Sequence, residues 1–176
     1  MKQRGLIVID LQNEYLPTGK LPLTGIEAAA HNAALAIADA RSKEIPIFHI
    51  RHEFAHGEAP VFVPGTEGVE IQPTVKPAAD EAVIVKNFVN AFRDTDLKAQ
   101  LDAKGVEEVI IVGAMSHMCV DACVRAAADM GYPVTVLHDA CATLDLSFGG
   151  VTVPAAQVHA AMMAAFEFGY GKVQST

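Results

Sequence analysis

Short β-branched runs alternate with longer stretches of helical periodicity along the whole chain. The first run, Gly5-Leu-Ile-Val-Ile-Asp10, is apolar without alternation, the pattern of a strand covered on both faces. Thr24-Gly-Ile-Glu27 has the form of a capping box and opens an Ala-rich stretch that predicts a helix to about Arg41. A second strand reads Ile45-Pro-Ile-Phe-His-Ile50, and residues 51–80, rich in Gly and Pro, read as a long surface excursion. The third strand is Ala82-Val-Ile-Val-Lys86. Asp94 or Thr95 is placed to cap a helix carrying Leu97 and Leu101 at i, i+4, with Gly105 at its C′ position.

The fourth strand, Val109-Ile-Ile-Val-Gly113, leads into a helix from about Met118 to Met130, with Val120, Cys123, Val124 and Ala127 on its apolar face. Its other face, with Asp121, Arg125 and Asp129, reads as a solvated stripe. Strand five is Val134-Thr-Val-Leu137. The last helix is predicted to begin with Pro154 at N1, to bury Val158, Ala161, Met162, Ala165 and Phe166, and to stop at Gly169. Gly171 to Gln174 reads as a sixth, edge strand. Strands alternating with helices imply βαβ units, so the predicted fold is a three-layer α/β/α sandwich around a mostly parallel six-stranded sheet. Length agrees: 176 residues make one domain, 1–176, with no repeat and no second core.

Composition narrows the function classes. Hydrophobic residues make up 51% and charged residues 19%, a globular balance. Lys and Arg number 13 against 21 Asp and Glu, leaving a net charge of −8 that weighs against nucleic-acid and membrane-surface partners. No apolar run approaches the ~18 residues of a membrane span. Three Cys is an odd and sparse count for a disulfide scaffold, and the N-terminus runs into an Asp-bearing strand without a cleavage site, so a cytoplasmic location is expected.

In an open parallel sheet, ligands bind beyond the carboxyl ends of the strands. The residues collecting there are Asp10 and Gln12 after strand one, His49, Arg51 and His52 around the end of strand two, and Lys86 at the end of strand three. Gly113-Ala-Met-Ser-His-Met-Cys119 follows strand four, and His138 and Asp139 follow strand five. Cys119, close to a helix N-terminus that favours a thiolate, is the candidate nucleophile, whereas Cys123 and Cys141 read as small buried hydrophobes. With Asp10 and Lys86 it supplies a nucleophile, a base and a cation, the parts needed for acyl transfer. On chemistry alone a Cys119 pairing with His117 or His138, oriented by Asp139, stays open. The histidines 49, 52 and 56 suggest a metal set, but Arg51 lies among them without an Asp, and no metal is expected.

Gly5-Leu-Ile-Val-Ile-Asp-Leu-Gln-Asn13, Lys86-Asn-Phe-Val-Asn-Ala-Phe92 and Val112-Gly-Ala-Met-Ser-His-Met-Cys-Val120 resemble, in order, the isochorismatase-like cysteine hydrolases. His138-Asp-Ala-Cys-Ala-Thr143 and Val153-Pro-Ala-Ala-Gln-Val-His159 extend the likeness over nearly the whole chain. The resemblance implies strand order 3-2-1-4-5-6 and a triad of Asp10, Lys86 and Cys119, which favours it over the Cys–His pairing. It further implies a cis peptide between Ala114 and Met115, an oxyanion hole from the Met115 and Cys119 amides, no cofactor, and a homo-oligomer (dimer or tetramer).

Nicotinamidases in that family carry an Asp/His metal set after the second strand, where Arg51 falls here. Members that cleave the isochorismate vinyl ether do not rely on the cysteine. Retention of Cys119 therefore points to C–N hydrolysis of a small amide-like substrate, with ether hydrolysis or a non-catalytic role as the rivals. The substrate pocket is assigned to Gln12, Tyr15, His52, Phe54, Phe88 and His117.

Overall fold

Strand β1 (Arg4–Ile9) takes the middle of the sheet because it offers no polar face: Leu6, Ile7, Val8 and Ile9 are all buried. In the computed structural model, which describes residues 2–54 and 59–176, β1 is flanked by β2 (Ile47–His52) and β4 (Glu108–Ala114). Outward from these lie β3 (Ala82–Lys86) on one side and β5 (Val134–Ala142) and then β8 (Gly171–Gln174) on the other. All five pairings are parallel and the order is β3-β2-β1-β4-β5-β8. The outer strand is the Gly171–Gln174 segment expected from the sequence; it counts as eighth because a hairpin, β6 (Leu146–Phe148) and β7 (Val151–Val153), precedes it.

The alternating side chains of β1 feed two cores. Leu6 and Val8 pack with Ala29, Ala33 and Ile37 of α1 (Ile26–Ser42). Ile7 and Ile9 face the opposite layer, formed by Leu97 and Leu101 of α2 (Leu97–Ala103), Val120 and Val124 of α3 (Cys119–Asp129), and Phe166 of α4 (Ala155–Gly169). A parallel sheet buried on both faces sends its strand ends and the following loops to one edge, where ligand chemistry belongs.

Several local expectations are corrected. Thr24 does not cap α1; its amide donates to the Thr143 carbonyl in an isolated bridge, and Gly25, at φ 73°, takes the N-cap position. Tertiary pairing there outcompetes the local capping box. The N-cap position of α2 is Asp96 rather than Asp94 or Thr95, yet it is the Thr95 hydroxyl that accepts from the Leu97 amide at 3.4 Å, and Gly105 does turn left-handed after that helix. Strand β2 starts at Ile47 rather than Ile45 and runs on to His52. Strand β5 does not stop at Leu137 but continues to Ala142 after an irregularity that skips from the Ile111–Val136 pair to Gly113–Cys141. In α4, Pro154 is the N-cap, Val158, Met163 and Phe166 are buried, and Ala161 faces solvent. The helix is apolar almost all round, so periodicity could not choose its inner face.

Residues 51–80 depart most from expectation. Where described, this segment lies over the site edge: Phe62, Val69, Gln72 and Val75 are buried, and short 3₁₀ turns at Glu67–Val69 and Pro73–Val75 tie it down. Among the described residues no helix is long and apolar enough to cross a membrane.

Candidate active site

Each of the three candidate catalytic residues sits where an element ends. Asp10 follows β1 with a left-handed backbone, φ 50°, a conformation that Asp tolerates better than most residues. Its amide is held by the Ile50 carbonyl at 3.0 Å. Lys86 closes β3, and parallel register pairs it with His52 of β2. Cys119 is the first residue of α3. The turn before it requires Gly113, whose φ is 130° and where a Cβ would stand 2.0 Å from the Ile9 carbonyl oxygen. The Ala114–Met115 peptide is cis.

These elements bring the three side chains into one buried cluster with Lys86 at its centre. The Lys86 ammonium lies 2.8 Å from Asp10 Oδ2, 3.2 Å from Cys119 Sγ and 3.0 Å from His52 Nδ1. The ammonium thus hydrogen-bonds Cys119 and His52 and forms an ion pair with Asp10. Because an ammonium only donates, His52 must accept through Nδ1 and carry its own proton on Nε2. Asp10 and Lys86 are fully buried and Cys119 nearly so. Neither the Met115 nor the Cys119 amide donates to a backbone acceptor among the described residues. Both N–H groups are therefore without a backbone acceptor, the second being one of the free amides of a helix N-terminus.

The electrostatics follow from burial. Desolvation raises the Asp10 pKa above the ordinary carboxylate range, against the opposing pull of Lys86 and the Cys119 thiol. Burial drags on Lys86 as well, but the adjoining Asp10 and Cys119 outweigh it and hold the ammonium firmly charged. Burial, then Asp10, push the Cys119 thiol well above its usual range despite Lys86. The helix N-terminus had suggested a standing thiolate; the structure instead favours a neutral thiol next to a carboxylate, because burial and a like charge exceed what the helix end supplies. His52 is lowered to about 3 by burial and by the Lys86 charge, so its ring is neutral.

A pocket of about 330 Å³ opens over Cys119. Of the residues assigned to it from sequence, Tyr15, His52, Phe54 and Phe88 line it. Gln12 and His117 do not, and each has other work. The Gln12 amide accepts from the His52 N–H at 2.8 Å and donates to the His52 and Val69 carbonyls, fastening β2 to the overlying loop. His117 Nδ1 pairs with the Thr143 hydroxyl at 2.7 Å. The sequence reading missed Leu21, Val61, Phe62, Val89 and Met118, which also form the wall.

Three other histidines lie outside the wall of this pocket. His49 bonds Glu81 at 3.0 Å, while His138 lies beside His159, which pairs with Ser116. His56 lies outside the described residues, and among those described no group of three His, Cys, Asp or Glu is gathered to hold a metal. Larger clefts, of about 570 Å³ beside Arg41 and Glu81 and about 660 Å³ beside Lys2 and Lys43, have no Cys, Ser or His on their walls.

A fully buried Asp–Lys pair beside a helix-end cysteine and two free amides has the parts for nucleophilic attack on a carbonyl. Comparison with known proteins places the chain at the level of family. The isochorismatase domain model matches residues 4–171. The isochorismatase family protein YddQ of Bacillus subtilis is 47% identical over 171 residues, covering 97% of this chain and 95% of its own. Streptothricin hydrolase of Streptomyces noursei is 35% identical over 162 residues, 87% of this chain and 55% of that one. A crystal structure of an isochorismatase-type hydrolase from Oleispira antarctica superposes with a TM-score of 0.95 at 51% identity, covering 99% of this chain and 94% of that one. The chain belongs to the isochorismatase family of hydrolases.

Proposed function

We propose that the protein hydrolyses an amide-like C–N bond of a small molecule through a thioester on Cys119. The observation that supports this best is the Lys86 ammonium, which contacts the Asp10 carboxylate and the Cys119 sulfur at 2.8 and 3.2 Å, with Asp10 and Lys86 fully buried. Relatives named streptothricin hydrolase and nicotinamidase make the same bond class the natural choice.

In the proposed reaction Asp10 removes the Cys119 proton as the sulfur attacks the carbonyl carbon, so a free thiolate never accumulates. The raised pKa of Asp10 makes it a stronger base than an ordinary carboxylate, while the raised pKa of the thiol holds its proton until Asp10 takes it. The tetrahedral oxyanion is received by the Met115 and Cys119 amides. Asp10 then protonates the departing nitrogen, and water, deprotonated by Asp10, releases the acid from the thioester. Lys86 keeps its charge throughout and offsets the negative charge that moves between Asp10 and sulfur. His52 orients Lys86 through Nδ1 and takes no part in proton transfer, since its ring stays neutral over the working range.

The test is ammonia release from a panel of primary amides by wild type and Cys119→Ala. Turnover that disappears in the alanine variant supports the reading. Turnover that survives it contradicts the acyl-cysteine route and leaves ether or other direct hydrolysis.

A further inference from the structure

The wall of the Cys119 pocket is the feature that the catalytic chemistry does not account for. Apart from the Cys119 thiol, the Tyr15 hydroxyl, the Asn87 amide and the His52 ring, already bonded to Lys86, its described lining is aromatic, aliphatic or thioether. Tyr15 and Phe62 meet edge to face at 5.1 Å, and His52 packs against Phe54 at 4.7 Å and Phe62 at 5.4 Å. This box is built with some care: Phe62 is buried at a left-handed φ of 52°, and its amide reaches the carboxylate of buried Glu14 at 3.4 Å. Gly68 lies under the same carboxylate, where a Cβ would come within 1.9 Å of Glu14 Oε2. Glu14 thus anchors the segment that presents Phe62.

Among the described residues, no Lys or Arg lines this wall to receive an anionic substrate. Lys86 is buried, paired in charge with Asp10 and hydrogen-bonded to His52 and Cys119. Lys20 donates to the Pro60 carbonyl, Arg51 pairs with Glu53 and Glu70, and the Arg93 guanidinium covers the Phe88 ring. The buried Asp10 carboxylate and a net charge of −8 disfavour a second carboxylate further. The volume, about 330 Å³, lies at the small end of the ~300–1,000 Å³ range of ligand sites and suits one aromatic ring or a branched chain.

We propose that the acyl half of the substrate is an uncharged aromatic or aliphatic group, held between Tyr15, Phe54, Phe62 and Phe88, and that carboxylate-bearing acyl groups are excluded. This rests on the acyl-Cys119 reading above and adds the substrate class to it.

The experiment uses the whole protein with p-nitrophenyl acetate, butanoate, hexanoate and benzoate, and with mono-p-nitrophenyl succinate, whose acyl group matches butanoyl with a carboxylate in place of the terminal methyl. In each case the thiol proton passes to Asp10, the bond from Sγ to the acyl carbon forms, and the ester C–O bond breaks with release of p-nitrophenolate. Rates of Cys119 acylation, read by intact mass and peptide mapping, are divided by each ester's own rate with hydroxide. The expected result is a rise of about fourfold per methylene up to the length the pocket holds, the equivalent of ~0.8 kcal/mol each. Succinyl transfer is expected to be about a hundredfold or more slower than butanoyl, and Val89→Lys, at the exposed rim, to narrow that ratio by about tenfold.

A flat chain-length series, or succinyl transfer within about threefold of butanoyl in the wild type, overturns the proposal while the acyl-Cys119 route stands. Folded protein that acylates at Cys119 with none of the esters overturns both.

Discussion

Replacing Lys86 by Met keeps an unbranched apolar stem, one atom shorter, and removes the ammonium with its charge and its donors. In the wild type the ammonium is fully buried 2.8 Å from an equally buried carboxylate, whose oxygens find no other well-placed donor among the described residues. Removing one partner of such a pair leaves the other charge uncompensated, at a cost of about 3–5 kcal/mol. For a chain of 176 residues, at about 2–4 °C per kcal/mol, the melting midpoint should fall by roughly 6–20 °C.

The pH dependence has a defined sign. Burial already holds the folded-state pKa of Asp10 above its unfolded value, and loss of Lys86 raises it further. A carboxyl raised on folding favours the folded state below its unfolded pKa of ~3.9 and loses that advantage as pH rises toward the folded pKa. The deficit of Lys86→Met against wild type should therefore be largest near neutrality and shrink toward pH 4, as Asp10 takes up a proton. Adding Asp10→Asn removes the stranded charge and should recover most of the loss. Urea melts of the wild type, both single variants and the double variant at pH 7 and pH 4.5 measure all of this. A single-variant deficit below about 1 kcal/mol, or a double variant no more stable than Lys86→Met, refutes the reasoning.

Three further outcomes are expected. Asp10→Asn removes the neighbour whose charge raises the Cys119 thiol, so iodoacetamide should alkylate Cys119 faster at neutral pH while turnover falls by about 10²–10⁴ with the loss of the base; slower alkylation would contradict the electrostatics. The ring of His52 is held neutral, so turnover should show no histidine inflection at pH 5–8, while its lowered folded pKa withdraws stability as pH falls from ~6.5 toward 3. His52→Ala should weaken the Lys86 array by about 1–3 kcal/mol without adding an inflection; one that vanishes with His52 would show it titrating at work. Gly113→Ala drives a Cβ into the Ile9 carbonyl at a φ that L-residues avoid, and should cost about 3 kcal/mol or more in a chemical melt.

What the sequence made legible was whatever depends on neighbouring residues. Asp10, Lys86 and the Gly113–Cys119 turn stand at the ends of continuous apolar runs, and parallel strands carry such ends to one edge whatever the loops do. The Lys86–His52 contact is of another kind. It follows from pairing of β2 with β3, and register across 34 residues is not written in either strand alone. Phe62 is harder still, since its place depends on a left-handed backbone at a residue without that preference, on an anchoring carboxylate 48 positions away, and on aromatic partners from two other segments. The hairpin β6–β7 did leave a signal: Gly149 and Gly150 both take positive φ, as a two-residue turn between paired strands requires. Its strands are only three residues long, too short for alternation to register.

The cysteine shows how a correct local rule can lose. A helix N-terminus does lower a thiol pKa, and Cys119 does begin a helix. The rule presumes some access to water, however, and the fold places the sulfur beside a buried carboxylate under the aromatic wall.

The most direct test of the central claim is intact-mass spectrometry of acid-quenched enzyme during turnover of a primary amide, with the adduct mapped by peptide digestion. The account predicts a transient mass gain equal to the acyl group, confined to the peptide holding Cys119, absent in Cys119→Ala, and formed as ammonia is released but before the acid appears. Steady turnover with no adduct at any quench time, undiminished in Cys119→Ala, would contradict it.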